Sequence, residues 1–260
     1  MYRHFSVLVA LVVLLAGCVG TTPGGTDTPT AGPPSTPTPT AVDTSTPLPS
    51  GKLAPGITAD GIENVTALLA AHQRELTASG FVSEASSRTL AEGVESTRVA
   101  WTVTVSPGGD RARTHAIESR EDGSQVVVDI WSNATHDTTR RDEDGTVTYA
   151  VSPRSITDDT IVWSGNGAHV LVSASAEAFE VETVETRDGL RYVTLVAEEN
   201  GAREDGLPAS RATLVVDELG RIHELERHIQ YTESVAFTTT YRVVQLGDTD
   251  PQPPTWLETV

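Results

Sequence analysis

Residues 98–105 read RVAWTVTV, and the alternation in this stretch decides the fold. Val99, Trp101, Val103 and Val105 fall on one side of an extended chain, while Arg98, Ala100, Thr102 and Thr104 fall on the other, because successive side chains of a strand point to opposite faces. That is the pattern of a half-buried antiparallel strand. Comparable runs recur about every ten residues: 81–90, 112–120, 125–131, 135–141, 146–151, 179–186, 190–198, 211–216, 222–231 and 235–246. Between them SPGGD (106–110), EDGS (121–124), DEDG (142–145), RDG (187–189) and DELG (217–220) supply the Gly and Asp that tight hairpins need.

A helix precedes the strands. Ile62, Val65, Leu69, His72 and Leu76 recur at spacings of three and four, with Leu68 widening the stripe. Asp60 and Glu63 are placed as a capping box, and Gly80 stands where a C-cap is needed. The stretch 167–176 is a candidate for a second, short helix. About ten antiparallel strands in meander order, with one or two helices over one face, predict an α+β fold: a strongly curved antiparallel sheet, an unclosed half-barrel, wrapped over its helices.

Everything before this domain reads as export and tethering. Arg3 and His4 precede an apolar run from Phe5 to Leu15 relieved only by Ser6, the shape of a signal peptide. As a helix the run reaches roughly 16 Å against about 30 Å of bilayer hydrocarbon, too short for a span. The tetrad LAGC, Leu15 to Cys18, resembles the lipobox of secreted lipoproteins. The resemblance implies cleavage between Gly17 and Cys18 and a diacylglyceryl group on the Cys18 sulfur. Cys18 is the only cysteine of the 260 residues, so neither a disulfide framework nor a cysteine-rich metal site is available. Two acyl chains on one sulfur suffice for stable anchoring.

After Cys18, residues 21–50 hold ten Thr and eight Pro, a composition that cannot build a core and favours an extended linker. The expected organisation is a signal peptide at 1–17, a lipidated cysteine with a disordered Thr/Pro-rich linker at 18–57, a half-barrel domain at 58–250 and a C-terminal tail at 251–260. Extended, the linker spans on the order of 120 Å. The expected location is the extracytoplasmic face of the cell membrane.

Charge narrows the partners. There are 36 Asp plus Glu against 18 Lys plus Arg, for a net charge of −18, and Lys52 is the sole lysine. A field of that sign opposes binding to nucleic acid or to an anionic membrane surface. The composition also resembles that of proteins from salt-loving archaea, where molar salt shortens the screening length to about 3 Å.

The order helix, long meander, mid-chain helix and closing ATLVVDELGRIHELERHIQYTE (212–233) with VAFTTTYRVVQLG (235–247) is similar to the LolA, LolB and LppX-like lipoprotein carriers. That resemblance implies lipid or acyl chains held between sheet and helices. Lipobox, Thr/Pro stalk, acidic domain and the terminal PPTWLE (253–258) together look like a haloarchaeal lipoprotein family. Neither resemblance supplies catalytic residues.

From the residues themselves, chemistry is sparse. The histidines at 4, 72, 115, 136, 169, 223 and 228 include no HExxH and no i, i+4 pair on a helix, and read as half-exposed side chains. DEDG lacks the further ligands of a calcium loop and reads as a polar turn. WSGNG (163–167) lacks a nucleophile at an elbow, and Glu198 and Glu199, adjacent in a strand, point apart. No cofactor or metal is implied. Asn133 in NAT and Asn64 in NVT are N-glycosylation sequons.

The leading reading is an anchored, non-enzymatic binding module for an apolar ligand, a lipid or an envelope protein. Its candidate surface is Val99, Trp101, Val103, Val126, Val128, Leu195 and Leu214. The alternatives are a structural or interaction protein of the envelope without a small ligand, and a secreted hydrolase with an unfamiliar site. The anchor is directly testable: Cys18→Ser is expected to release the protein from membranes or block its maturation on cell fractionation. An unmodified Cys18 thiol in the intact mass of the wild type contradicts the lipobox reading.

Overall fold

The computed structural model of the protein describes residues 51–154, 179–199 and 209–260. Two short strands, β1 (Ile57–Thr58) and β2 (Gly61–Ile62), pair with each other ahead of the helix α1 (Val65–Ser79). The capping box expected from Asp60 and Glu63 does not form. Asn64 caps the helix, its Oδ1 accepting the Ala67 N–H at 2.9 Å. Pairing of Ile57 with Ile62 holds the preceding residues extended, so the helix starts later than the apolar spacing suggests. Asp60 and Glu63 are drawn into the β1–β2 turn instead. There Thr58 Oγ1 accepts the Asp60 N–H and donates to Glu63 Oε1.

The strands that follow are β3 (Phe81–Ala91), β4 (Val94–Val105), β5 (Ala112–Arg120), β6 (Gln125–Ser132), β7 (His136–Glu143) and β8 (Thr146–Pro153). They continue as β9 (Glu180–Arg187), β10 (Leu190–Glu199), β11 (Ala209–Asp217), β12 (Ile222–Gln230) and β13 (Val235–Leu246). All eleven form one antiparallel sheet in the order β8-β7-β6-β5-β4-β3-β13-β12-β11-β10-β9. The chain therefore enters in the middle, meanders out to β8, resumes at the far edge with β9 and meanders back. β3 and β13 join the two meanders, in register from Val235 opposite Ala91 to Leu246 opposite Phe81. β8 and β9, the two edges, do not pair with each other, so the sheet is unclosed. The second helix expected at 167–176 lies outside the described residues.

One face of this sheet carries the core. Phe81, Ala85, Val103, Val105, Leu195, Leu214, Leu225 and Tyr241 are buried there, together with Leu68, Ala71, His72 and Leu76 of α1. A leucine taken fully out of water contributes about 2 kcal/mol. Leu53, Ala54 and Ile57, which the composition assigns to the linker, are also buried in the main cluster. The packed chain thus begins about five residues before the expected boundary at 58, because these apolar side chains follow the last proline-rich stretch closely enough to tuck against the helix.

At the other end of α1, Gly80 closes the helix, its N–H donating to the Leu76 carbonyl. Its φ of 70° and ψ of 153° lie in a region open essentially to glycine alone. A Cβ there would stand 2.4 Å from Thr249 Oγ1 and 2.6 Å from the Pro107 nitrogen. The Gly80 carbonyl also accepts the Gly247 N–H just beyond β13. Gly80→Ala is therefore expected to destabilise the fold by about 1–3 kcal/mol from the backbone alone, and more from the clash. Urea denaturation of the two proteins checks this, and equal midpoints contradict it.

Candidate functional site

The register settles which apolar candidates share a face. Trp101 stands between Ala85 on β3 and Ala116 on β5, and Ala116 faces Val128 on β6. Val99 and Val103 alternate with Trp101 along β4, as Val126 does with Val128 along β6. On the other arm Ala85 leads through Tyr241 and Leu225 to Leu214 and then Leu195. All seven candidates lie on the face that carries α1, but they do not share a role. Leu195 and Leu214 are sealed in the main cluster and Val103 in a second one with Leu76 and Phe81, so these three belong to the core. Trp101 packs against both clusters. Its indole Nε1 is buried and meets no hydrogen-bond acceptor among the described residues. Val126 is buried as well, at 3 % exposure, though it belongs to neither cluster. Val99 and Val128, on the same face outside both clusters, are only partly buried.

The opposite face is hollowed into a groove of about 520 Å³ that crosses β5, β4, β3, β13, β12 and β11. Its rim carries Glu84, Arg98, Glu224, Glu226 and Arg242, with His115 at one end. Ala100, Ile117 and Val215 give it a narrow apolar floor. Arg242 reaches Glu224 at 3.5 Å, an exposed pair that contributes at most about 1 kcal/mol. Beyond the groove, His115 Nδ1 lies 2.7 Å from Asp129, whose other oxygen lies 3.5 Å from Arg140. These charged residues occupy the polar side of the alternation. Sequence reading passes over them because an exposed polar face and the lining of a groove have the same pattern.

Two titratable groups beside the helix are held in set protonation states. Asp217, at 0 % exposure, accepts from the backbone N–H groups of Leu219 and Arg221, from Arg221 Nε at 2.6 Å and from His223 Nε2 at 2.9 Å. Burial alone would raise its pKa. The hydrogen bonds from His223 and Arg221 and the Arg221 charge more than offset that and hold it below the usual carboxylate value. His72, also at 0 % exposure, corrects the reading of half-exposed histidines. Its Nδ1 accepts the Ile222 N–H at 3.0 Å, fastening α1 to the start of β12, and its ring meets Tyr241 edge-on at 6.1 Å. Burial, with repulsion from His223, lowers its pKa to about 3 against the opposing pull of Asp217.

Gly17, Cys18 and the WSGNG segment lie outside the described residues. Asn64 is exposed at the start of α1. Asn133 sits in the β6–β7 turn, where its Oδ1 accepts from the backbone of Thr135 and His136 and from Thr135 Oγ1. In both, these bonds use the amide oxygen; the nitrogen is the atom a glycan would join. Among the described residues no group of three His, Cys, Asp or Glu side chains is placed to hold a metal ion. No helix among them is long and apolar enough to cross a membrane.

No protein-family model matches the sequence, and no curated protein matches it. Solved structures similar to the chain include LprF from Mycobacterium bovis, at 13% identity over 75% of this chain and 98% of that one, with a TM-score of 0.39. A DUF1329 family protein from Desulfovibrio piger is 12% identical over 76% of this chain and 96% of that one, with a TM-score of 0.29. A LolA superfamily protein from Nitrosomonas europaea is 8% identical over 73% of this chain and 94% of that one, with a TM-score of 0.26.

The state of His72 has a measurable consequence. A histidine whose pKa falls from 6.5 when unfolded to about 3 when folded binds more protons unfolded throughout that interval. Its contribution is fully present above pH 6.5 and is lost as pH falls, by up to about 1.4 kcal/mol per pH unit. His72→Asn keeps an acceptor for the Ile222 N–H and removes the titration. Urea denaturation between pH 7 and about pH 5.5, where few carboxylates have titrated, is expected to show a steeper loss in the wild type than in the variant. Equal slopes contradict this assignment.

Proposed function

We propose that this protein is an extracytoplasmic lipoprotein, anchored to the cell membrane through Cys18, whose half-barrel domain binds an apolar ligand without catalysing a reaction. The observation that carries this reading is on the helix-bearing face. α1 and the N-terminal residues fill that face over β10 to β13 and over β3, whereas the partly exposed Val99 and Val128 continue it beyond both closed clusters. At the border stands Trp101, whose buried indole N–H meets no acceptor among the described residues. A buried donor left unpaired costs about 1–3 kcal/mol, so the site favours a ligand with an acceptor next to its hydrocarbon. A lipid acyl ester has that combination. Asn133 and Asn64 are proposed as glycan acceptors.

Native mass spectrometry of the full-length chain, extracted in mild detergent, tests the ligand. The wild type is expected to carry a lipid that is released on collisional activation, unlike a thioether-linked group at Cys18. Val128→Glu should abolish that adduct. Trp101→Phe, which deletes one neutral hydrogen bond of about 1 kcal/mol, should weaken retention about fivefold. Repeated recovery of an empty wild-type domain overturns the reading.

A further inference from the structure

The two edges of the sheet are chemically unlike. β9 reads EVETVETR and carries Glu180, Glu182 and Glu185 along its length. β8 reads TVTYAVSP and has no charged side chain, in a chain of net charge −18. Charge on an edge strand is an ordinary means of keeping it from pairing with another chain, and β8 lacks it. Val147, Tyr149 and Val151 on this strand are 38, 42 and 57 % exposed.

Hairpin geometry determines which backbone groups are open. Asp144 and Gly145 have φ of 50° and 87°, as a two-residue type I′ turn requires, and Glu143 faces Thr146 across it. In such a hairpin the flanking pair exchanges both of its hydrogen bonds, and every second pair does the same. Thr146, Thr148, Ala150 and Ser152 therefore direct their N–H and C=O groups to β7. Val147, Tyr149 and Val151 direct theirs to the open side. Among the described residues nothing pairs with the backbone of these three, which are the ones with large apolar side chains.

Their order is its own reverse. Laid antiparallel against the same strand of another molecule, with Tyr149 opposite Tyr149, β8 sets Val147 against Val151 on one face and Thr148 against Ala150 on the other. Cross-strand β-branched and aromatic pairs are stabilising, and no like charges meet. β9 laid against itself would bring glutamates together. The tail leaves the edge clear: Trp256 lies 6.1 Å from the Tyr149 ring and Thr259 Oγ1 donates to the Tyr149 hydroxyl at 3.3 Å, both engaging the side chain and not the backbone.

We propose that β8 is a homodimer interface, two copies of the chain joining edge to edge about a two-fold axis at Tyr149. Such a contact is isologous and closes on itself. Sedimentation velocity on the full-length protein in mild detergent, wild type beside V147K/V151K, tests it. The wild type is expected to sediment as a dimer. The double variant is expected as a monomer with an unchanged melting temperature, because both positions are exposed and each new lysine would face another. Tyr149→Cys should form a disulfide-linked dimer on mild oxidation, mapped to position 149, since facing Cα atoms of a hydrogen-bonded pair lie about 5.5 Å apart. A monomeric wild type, a dimer that survives V147K/V151K, or no cross-link at position 149 overturns the proposal. So does an open-ended series of assemblies, as pairing of β8 with β9 would give.

Discussion

The pairing of β3 with β13 is the contact on which the other structure depends. Each meander alone is a partial sheet with an apolar face, and only this seam sets them side by side. Bringing Ser86 and Thr240, 154 residues apart, into hydrogen-bond contact costs about 4 kcal/mol in chain entropy beyond a constant. The register from Ala91 to Phe81 against Val235 to Leu246 offsets that cost with a long ladder. Gly80 sits at the end of the seam and joins helix, β3 and the chain after β13 through one backbone unit. Non-local pairing of this kind also slows folding, because the closure cost comes before the contacts that offset it.

Once the seam is made, the two faces divide. Side chains on one face of β10 to β13, β3 and β4 close over α1 into a dry core, with His72 supplying a buried hydrogen bond to Ile222 that orients helix against sheet. The other face stays polar and is grooved across the same strands. An apolar face and a charged groove are thus back to back, separated by the thickness of one sheet. The helix side presents valines and an indole N–H that meets no acceptor among the described residues. A ligand on the other side would meet arginines and glutamates, of which Arg242 and Glu224 already face each other.

Much of this was legible from residues. The alternation of Val99, Trp101, Val103 and Val105 placed a strand and its inward face, since the two-residue period of a strand leaves no other arrangement. The DEDG, RDG and DELG turns separated strands because positive φ is supplied by Asp and Gly. The helix was found from its stripe, but its start was misplaced: Asp60 and Glu63 have the spacing of a capping box, and only the pairing of Ile57 with Ile62 shows that they cannot be one. His72 read as an ordinary member of a stripe because burial depends on what packs over it. The groove was invisible because its lining is spread over six strands, and in any one strand it looks like solvent-facing polarity.

By itself the sequence determined local matters: strand and helix periods, turn chemistry and a Thr/Pro-rich composition ahead of the domain. These follow from properties of neighbouring residues, and neighbours are what a linear string records. Tertiary structure alone decided that β3 and β13 are partners and that Leu195, Leu214, Val103 and Val126 are buried while Val99 and Val128 are only partly so. It also decided that β8, not β9, is the edge left without charge. Each of these depends on which distant segments meet, and many chain paths share one hydrophobic pattern until packing selects among them.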